Sequence, residues 1–250
     1  MIFRRGERMG ISSTTFLSFL AGVGGTGMGG FYTFFLREVK ADKMTSVLGF
    51  ASGIMLTAVF SELIPEAIEI SGLFHTLIGI IIGIMFLMWS DALLEFMTPQ
   101  KNNTMQHFVK TGAMLFFAIA SHNFPEGIAI GSGFEASERT GLVLVVTLAL
   151  HNIPEGMAIA TAFRLSGMSA FSAFMATALA GLPMVLGSVV GQKLGQVSPA
   201  FIAASLGFAA GAMIYTVCKE ILPDTFVIGR SSPWGLIWGI ITGIILFNIL

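Results

Sequence analysis

Charge is the scarcest property of this 250-residue sequence. Asp, Glu, Lys and Arg make up only 11% of it, against about 25% in ordinary soluble domains, so the chain lacks the polar surface that keeps a domain in water. Cysteine is almost missing. Cys218 stands alone, which excludes an intrachain disulfide and a cysteine-rich zinc site. The net charge of -1 says nothing about nucleic acid, but no basic run is long enough to follow a phosphate backbone, so nucleic acid is not expected as a partner. Polar stretches between the apolar runs are short and leave no room for a soluble domain. What remains is apolar, 54% of all residues, with a mean hydropathy of +0.85. Arg4, Arg5 and Arg8 ahead of an apolar run imitate a secretory signal, yet that run continues to Leu36, well past the roughly 7–15 residues of a signal core.

An α-helix needs about 20 apolar residues to cross a bilayer. Residues 11–36, 44–68, 73–96, 108–134, 140–163, 168–190, 199–227 and 234–250 reach or approach that length. They predict an all-α polytopic membrane protein with eight transmembrane helices. Residues 1–250 read as one transmembrane domain, lodged in the lipid bilayer of the cell membrane. Lys and Arg concentrate in the cytoplasmic loops of such proteins. Loops after odd-numbered spans hold Arg37, Lys40, Lys43, Lys101, Lys110, Arg164 and Arg230, whereas those after even-numbered spans hold Arg139 and Lys193. The bias predicts odd-numbered loops in the cytoplasm and both termini outside, with Arg4, Arg5 and Arg8 in dissent.

Two internal repeats organise the spans. A shift of 29 carries His122, Asn123, Pro125, Glu126, Gly127, Ala129, Ile130 and Phe134 onto His151, Asn152, Pro154, Glu155, Gly156, Ala158, Ile159 and Phe163. A shift of 158 carries Gly49, Phe50, Gly53, Met55, Val59, Glu62 and Pro65 onto Gly207, Phe208, Gly211, Met213, Val217, Glu220 and Pro223. Each repeat pairs an even-numbered span with an odd-numbered one, so paired helices cross in opposite directions, the mark of an inverted repeat. The third and eighth spans share small-xxx-small spacing, Gly79/Gly83 and Gly235/Gly239/Gly243, which suits close helix packing and is compatible with a homodimer. The expected arrangement is three spans, a central pair and three more.

An ionisable side chain in mid-membrane costs ~2.5–3.5 kcal/mol on insertion scales and calls for a partner or a purpose. The central pair holds several. His122 and Glu126 are four residues apart, hence on one helix face, with Asn123 three from Glu126; His151, Asn152 and Glu155 repeat the pattern. Facing helices would bring together two imidazoles and two carboxylates, a set that suits tetrahedral Zn²⁺, while the Asn oxygens add harder acceptors. Pro125 and Pro154 lack an N–H and so free the carbonyls of Ser121 and Leu150, which a membrane tolerates where they line a cavity. A packing motif of mutually satisfied His–Glu pairs is the plainer reading, but two copies of identical spacing, each with a proline, weigh against it. Glu62 and Glu220, in the related segments 61–66 and 219–224, are further candidate ligands, although Lys219 can neutralise a neighbour. Met55 offers a soft thioether at mid-depth, yet one of 15 methionines is more often packing. Cys218 and His75 read as structural, and His107 as a loop residue.

The paired His-Asn-x-Pro-Glu-Gly segments, the eight spans and the Glu-Leu-Ile-Pro-Glu-Ala stretch at 62–67 resemble the ZIP (Zrt/Irt-like) metal-ion transporters, and among them the bacterial ZupT-type zinc transporters. The resemblance covers essentially the whole chain. It implies uptake of divalent metal into the cytoplasm, zinc foremost, with iron, manganese, cobalt or cadmium as further substrates. It also implies a two-metal site between the fourth and fifth spans, with the metal as cargo rather than cofactor, and no enzymatic activity. Two departures stand out. ZupT-like members carry a Glu before the sixth-span proline, whereas Leu182 precedes Pro183 here, which removes one carboxylate from the second metal position. The His-rich loop of many relatives is reduced to His107. Two other functions fit less well. An intramembrane metal-dependent hydrolase would need an open coordination position and a general base, and no His-Glu-x-x-His stretch occurs. A monovalent cation or proton transporter has little use for imidazoles beside its carboxylates.

Overall fold

The computed structural model describes residues 10–35, 41–97, 104–194, 198–227 and 233–249. Among them every regular element is helical, a backbone that satisfies its own hydrogen bonds where lipid offers none. The helices form eight runs: α1 (11–35), α2 (41–71), α3 (72–97), α4 (Thr104–Ala136), α5 (Glu138–Leu165), α6 (170–194), α7 (199–227) and α8 (Trp234–Ile249). Each expected span falls on one run. The span ends at Leu36 and Leu250, and the loop cations Arg4, Arg5, Arg8, Arg37, Lys40, Lys101 and Arg230, lie outside the described residues.

Five stretches among the described residues are long and apolar enough to cross a membrane: Thr45–Leu93, Met105–Glu135, Glu138–Leu165, Ala170–Lys193 and Pro199–Phe226. Trp234–Phe247 is a shorter apolar helix. Thr45–Leu93 contains the break between α2 and α3 at Ser71 and Gly72, where Gly72 takes φ +78°, a left-handed conformation open to glycine at no steric cost. Large apolar side chains such as Phe35, Phe74, Met85, Trp89, Phe171 and Trp238 stay exposed, the kind of surface a bilayer covers.

Three π-turns interrupt the described helices: Leu20–Gly24 in α1, Val59–Leu63 in α2 and Val217–Ile221 in α7. The last two are repeat counterparts, and each lies two residues before a proline, Pro65 or Pro223. A proline leaves the carbonyl four residues earlier without its usual N–H, and widening the turn absorbs the mismatch. Glu62 and Glu220 sit inside these widened turns.

Packing obeys the repeats. Helix α1 lies against α5 as α6 lies against α4, α3 against α7 as α8 against α2, and α2 against α5 as α7 against α4. Two four-helix groups result, α1/α4/α5/α6 and α2/α3/α7/α8, meeting along α2–α5 and α4–α7. Glycines interlock the backbones within each group. A Cβ on Gly156 would overlap Thr26 O, and one on Gly127 would overlap Met184 O. The repeat relates Gly127 to Gly156 and Thr26 to Met184, so this is one contact made twice. Gly22 meets Gly181 where α1 crosses α6. From there α1 uses one residue more to reach Thr26 than α6 uses to reach Met184, and the π-turn at Leu20–Gly24 accommodates it. Gly79 and Gly83 abut Ala204 and Phe208, and Gly235 and Gly239 abut Ser46 and Phe50. Those glycine faces are thus used inside the chain, which removes the observation on which a homodimer rested.

Gly156→Val should destabilise the protein by about 1–3 kcal/mol or more, since a backbone carbonyl cannot give way to the added carbons. Gly24 has its nearest obstacle to a Cβ 3.9 Å away, so Gly24→Ala should leave the melting temperature unchanged or raise it. Thermal unfolding of both variants in detergent makes the comparison, and a Gly156→Val melt equal to the parent's would contradict the packing.

Candidate metal centre

Helices α4 and α5 bring their repeated segments face to face. His122, Asn123, Glu126, Asn152 and Glu155 have no exposure at all, and His151 has 1%. The pairing runs across the helices rather than along them. His122 Nε2 lies 3.0 Å from Glu155 Oε1, and His151 Nε2 lies 3.2 Å from Glu126 Oε1. Along α5, His151 Nε2 and Glu155 Oε1 stand 4.0 Å apart. An ionised carboxylate only accepts, so Nε2 is the donor in each pair. Neither Nδ1 has a hydrogen-bond partner. The same holds for Oε2 of Glu126 and Glu155 and for Oδ1 of Asn123 and Asn152. Six buried N and O atoms are therefore left over in three symmetric pairs, where most buried polar atoms are satisfied.

Each asparagine is held from behind. Asn123 Nδ2 donates to Ala180 O at 3.0 Å, and Asn152 Nδ2 donates to Ala21 O at 2.9 Å. Both acceptors lie at helix irregularities. Ala180 precedes the break at Gly181, where the N–H of Met184 turns to Gly181 O, and Ala21 belongs to the π-turn of α1. The amide ends are thereby fixed while the oxygens stay unengaged. Pro125 and Pro154 lie inside their helices one residue before the glutamates.

The remaining candidates fall in different places. Glu62 keeps a buried, unpartnered Oε2 and lines a cavity of about 280 Å³ with Glu66, Arg139, Thr140 and Thr147 at the α2–α5 seam. Glu220 is 8% exposed, and its Oε1 stands 3.7 Å from Lys219 Nζ. Met55 is buried in the apolar cluster that includes Leu48, Val59, Ala158 and Ile159, which is the packing alternative. Leu182 is 40% exposed. Among the described residues, His, Cys, Asp and Glu side chains nowhere converge three at a time as a ready-made ion site. The central four are engaged with one another in pairs instead.

Two features escaped the sequence reading. His107 is not in a loop but in the opening turn of α4, with Nε2 2.7 Å from Asp224 Oδ1. Asp91 of α3 gathers Lys110, Lys219 and Tyr215 within 3.2 Å. A lone Asp inside an apolar span was the available signal.

The crossed geometry predicts non-additive mutations. His122→Ala and Glu155→Ala each strand a buried partner, at about 1–3 kcal/mol. The double variant should cost less than the sum, with a coupling of roughly 0.5–3 kcal/mol. Coupling between His122 and Glu126, on the same helix, should be smaller. Thermal melts of the two cycles decide it, and larger coupling along α4 than across to α5 would refute the crossed pairs.

The family description "ZIP Zinc transporter" matches residues 98–250. Zinc transporter ZIPB of Bordetella bronchiseptica is 33% identical over 230 residues, which cover 85% of this chain and 72% of that protein. Zinc transporter ZupT of Corynebacterium aurimucosum is 31% identical over 237 residues, covering 87% and 88%. Zinc transporter ZupT of Chlorobium luteolum is 32% identical over 250 residues, covering 91% and 92%. Similarity that runs along most of both partners, on top of a family match over more than half of the sequence, shows that this chain belongs to the ZIP zinc transporter family, whose members are transporters and not enzymes.

Proposed function

We propose that this protein carries divalent metal ions, zinc foremost, across the cell membrane into the cytoplasm through a site built from His122, Asn123, Glu126, His151, Asn152 and Glu155. The observation that carries the proposal is the symmetric set of six buried, unpartnered N and O atoms beside two crossed His–Glu pairs. A purely structural pair would have its remaining polar atoms satisfied. Imidazole and carboxylate together suit four-coordinate zinc. They also accept iron(II), manganese, cobalt and cadmium, the secondary cargoes in this reading. The ion is substrate, not a prosthetic group. Its arrival exchanges imidazole–carboxylate hydrogen bonds for coordination, which requires deprotonated ligands.

The surrounding architecture is one transmembrane domain of eight spans, α1–α3, then the central α4–α5, then α6–α8, related by inverted-repeat symmetry. Odd-numbered loops face the cytoplasm and both termini lie outside, in keeping with the loop cations. The cavity at Glu62, Glu66 and Arg139 then opens outward, and its two carboxylates against one guanidinium favour cations. Glu62 lines this cavity with a buried, unpartnered Oε2 and in this reading receives the ion before the central ligands do. With Leu182 contributing no carboxylate, the central site holds one well-ligated ion.

Purified protein in vesicles loaded with a zinc-sensitive dye provides the test. Zinc influx should saturate with concentration. His122→Ala and Glu126→Ala should each lower it at least tenfold, and Glu62→Gln should raise the half-saturating zinc concentration more than it lowers the maximal rate. A His122→Ala variant that melts cooperatively and takes up zinc at the parent's rate would overturn the assignment.

A further inference from the structure

The two mouths of the central site differ, although the repeat makes them counterparts. At the α2–α5 mouth, Glu62, Glu66 and Arg139 line an open cavity. The repeat carries Glu62 onto Glu220, Glu66 onto Asp224 and Arg139 onto Lys110, so the α4–α7 mouth inherits the same three charges. Three further residues break the symmetry there. Lys219 stands where the other mouth has Ser61, and His107 where it has Ala136. Asp91 of α3 occupies the place that Phe247 takes in α8, by the shift that aligns Gly79 and Gly83 with Gly235 and Gly239.

These symmetry-breaking residues are the ones that tie this mouth together. Asp91 is 5% exposed. Its Oδ1 takes Lys110 Nζ at 3.2 Å, and its Oδ2 takes Lys219 Nζ at 3.1 Å and the Tyr215 hydroxyl at 3.2 Å. Nearby, His107 reaches Asp224 Oδ1 at 2.7 Å, and Thr111 Oγ1 donates to Asp224 Oδ2 at 3.4 Å. Lys110–Asp91 and His107–Asp224 both join one four-helix group to the other. Among the described residues no glycine-to-backbone interlock crosses that seam, so these bridges are its directional contacts. They sit well away from the ligands, because Lys110 precedes His122 by about 18 Å of helix at 1.5 Å per residue.

We propose that Asp91, Lys110, Lys219, His107 and Asp224 form an ionic latch that closes the α4–α7 mouth, and that this latch must open before an ion leaves the central site by that end. Its purpose rests on the transport reading, but its geometry does not. The lysines act as tethered cations on carboxylates that would otherwise face a departing ion. A divalent ion that reaches Glu220 displaces Lys219, 3.7 Å from it, so the cargo itself loosens the latch.

The test reads accessibility without any metal, so its failure is separate from failure of the transport assignment. Thr111 is 1% exposed, and Thr111→Cys in a Cys218→Ser background places one buried thiol at the latch, beside Asp224. Its labelling rate with a water-soluble methanethiosulfonate is measured on the full chain in detergent. Asp91→Asn or Asp224→Asn should raise that rate at least tenfold. The rate at a control Thr147→Cys, in the opposite mouth, should not rise. His107→Asp, which sets two carboxylates against each other, should also speed labelling, and adding Asp224→Lys should slow it again. Should Asp91→Asn fail to fold, Lys219→Met carries the same expectation. Labelling at Thr111→Cys that stays at the parent's rate, or rises equally in both mouths, overturns the latch.

Discussion

Four ionisable side chains sit between α4 and α5 with essentially no exposure, and the rest of the fold serves to make that burial tolerable. At ~2.5–3.5 kcal/mol for each charged group at a helix centre, the set would be prohibitive if each group stood alone. Crossing solves it. Each imidazole finds the carboxylate of the other helix, His122 with Glu155 and His151 with Glu126, and this is possible only where the helices face one another at hydrogen-bonding range. Gly127 and Gly156 hold α4 and α5 in contact with α6 and α1 from behind, so the pairs are clamped between two closely packed neighbours. The asparagines complete the shell, tied through Nδ2 to carbonyls that an irregular turn makes available.

The internal repeat explains why irregular backbone gathers where it does. One solution to burying a polar site, a proline, a widened turn and an acid within it, appears in α2 as Val59–Leu63 and in α7 as Val217–Ile221. A break near a small residue appears in α1 and α6, at Leu20–Gly24 and Gly181. Such departures would be costly facing lipid, and they are placed where polar groups meet them. Symmetry also fixes what the two halves share: two seams, α2–α5 and α4–α7, each flanked by the same acids.

Much of this was legible in the sequence because it is local. Apolar runs marked the helices, and the 29-residue repeat marked His122, Glu126, His151 and Glu155, since four-residue spacing alone puts each pair on one face. What was not legible is tertiary. Spacing along one helix suggested that His122 and Glu126 act together, whereas the hydrogen bond goes to Glu155, which only the docking of two helices decides. His107 was misread because hydropathy locates the edge of the apolar run, not the start of a helix, and α4 begins at Thr104. Asp91, Lys110 and Lys219 come from three helices, so no window of sequence contains them together. Met55 shows the converse. Its depth was readable, but its neighbours, such as Val59 and Ile159, were not.

A carrier built on two related halves has a difficulty that its symmetry creates. If both mouths were chemically alike, the two would be equal in energy, and neither side of the membrane would be favoured at rest. A difference of about 1.4 kcal/mol shifts such an equilibrium tenfold, so a modest chemical difference between the mouths is enough to set a preference. This chain carries such a difference. One mouth sets Arg139 beside Glu62 and Glu66 and remains open. The other answers the equivalent acids with Lys219 and His107, and joins Lys110 to an aspartate, Asp91, that its counterpart lacks. In the transport reading proposed above, the repeated residues hold the ion and the unrepeated ones bias which mouth is shut.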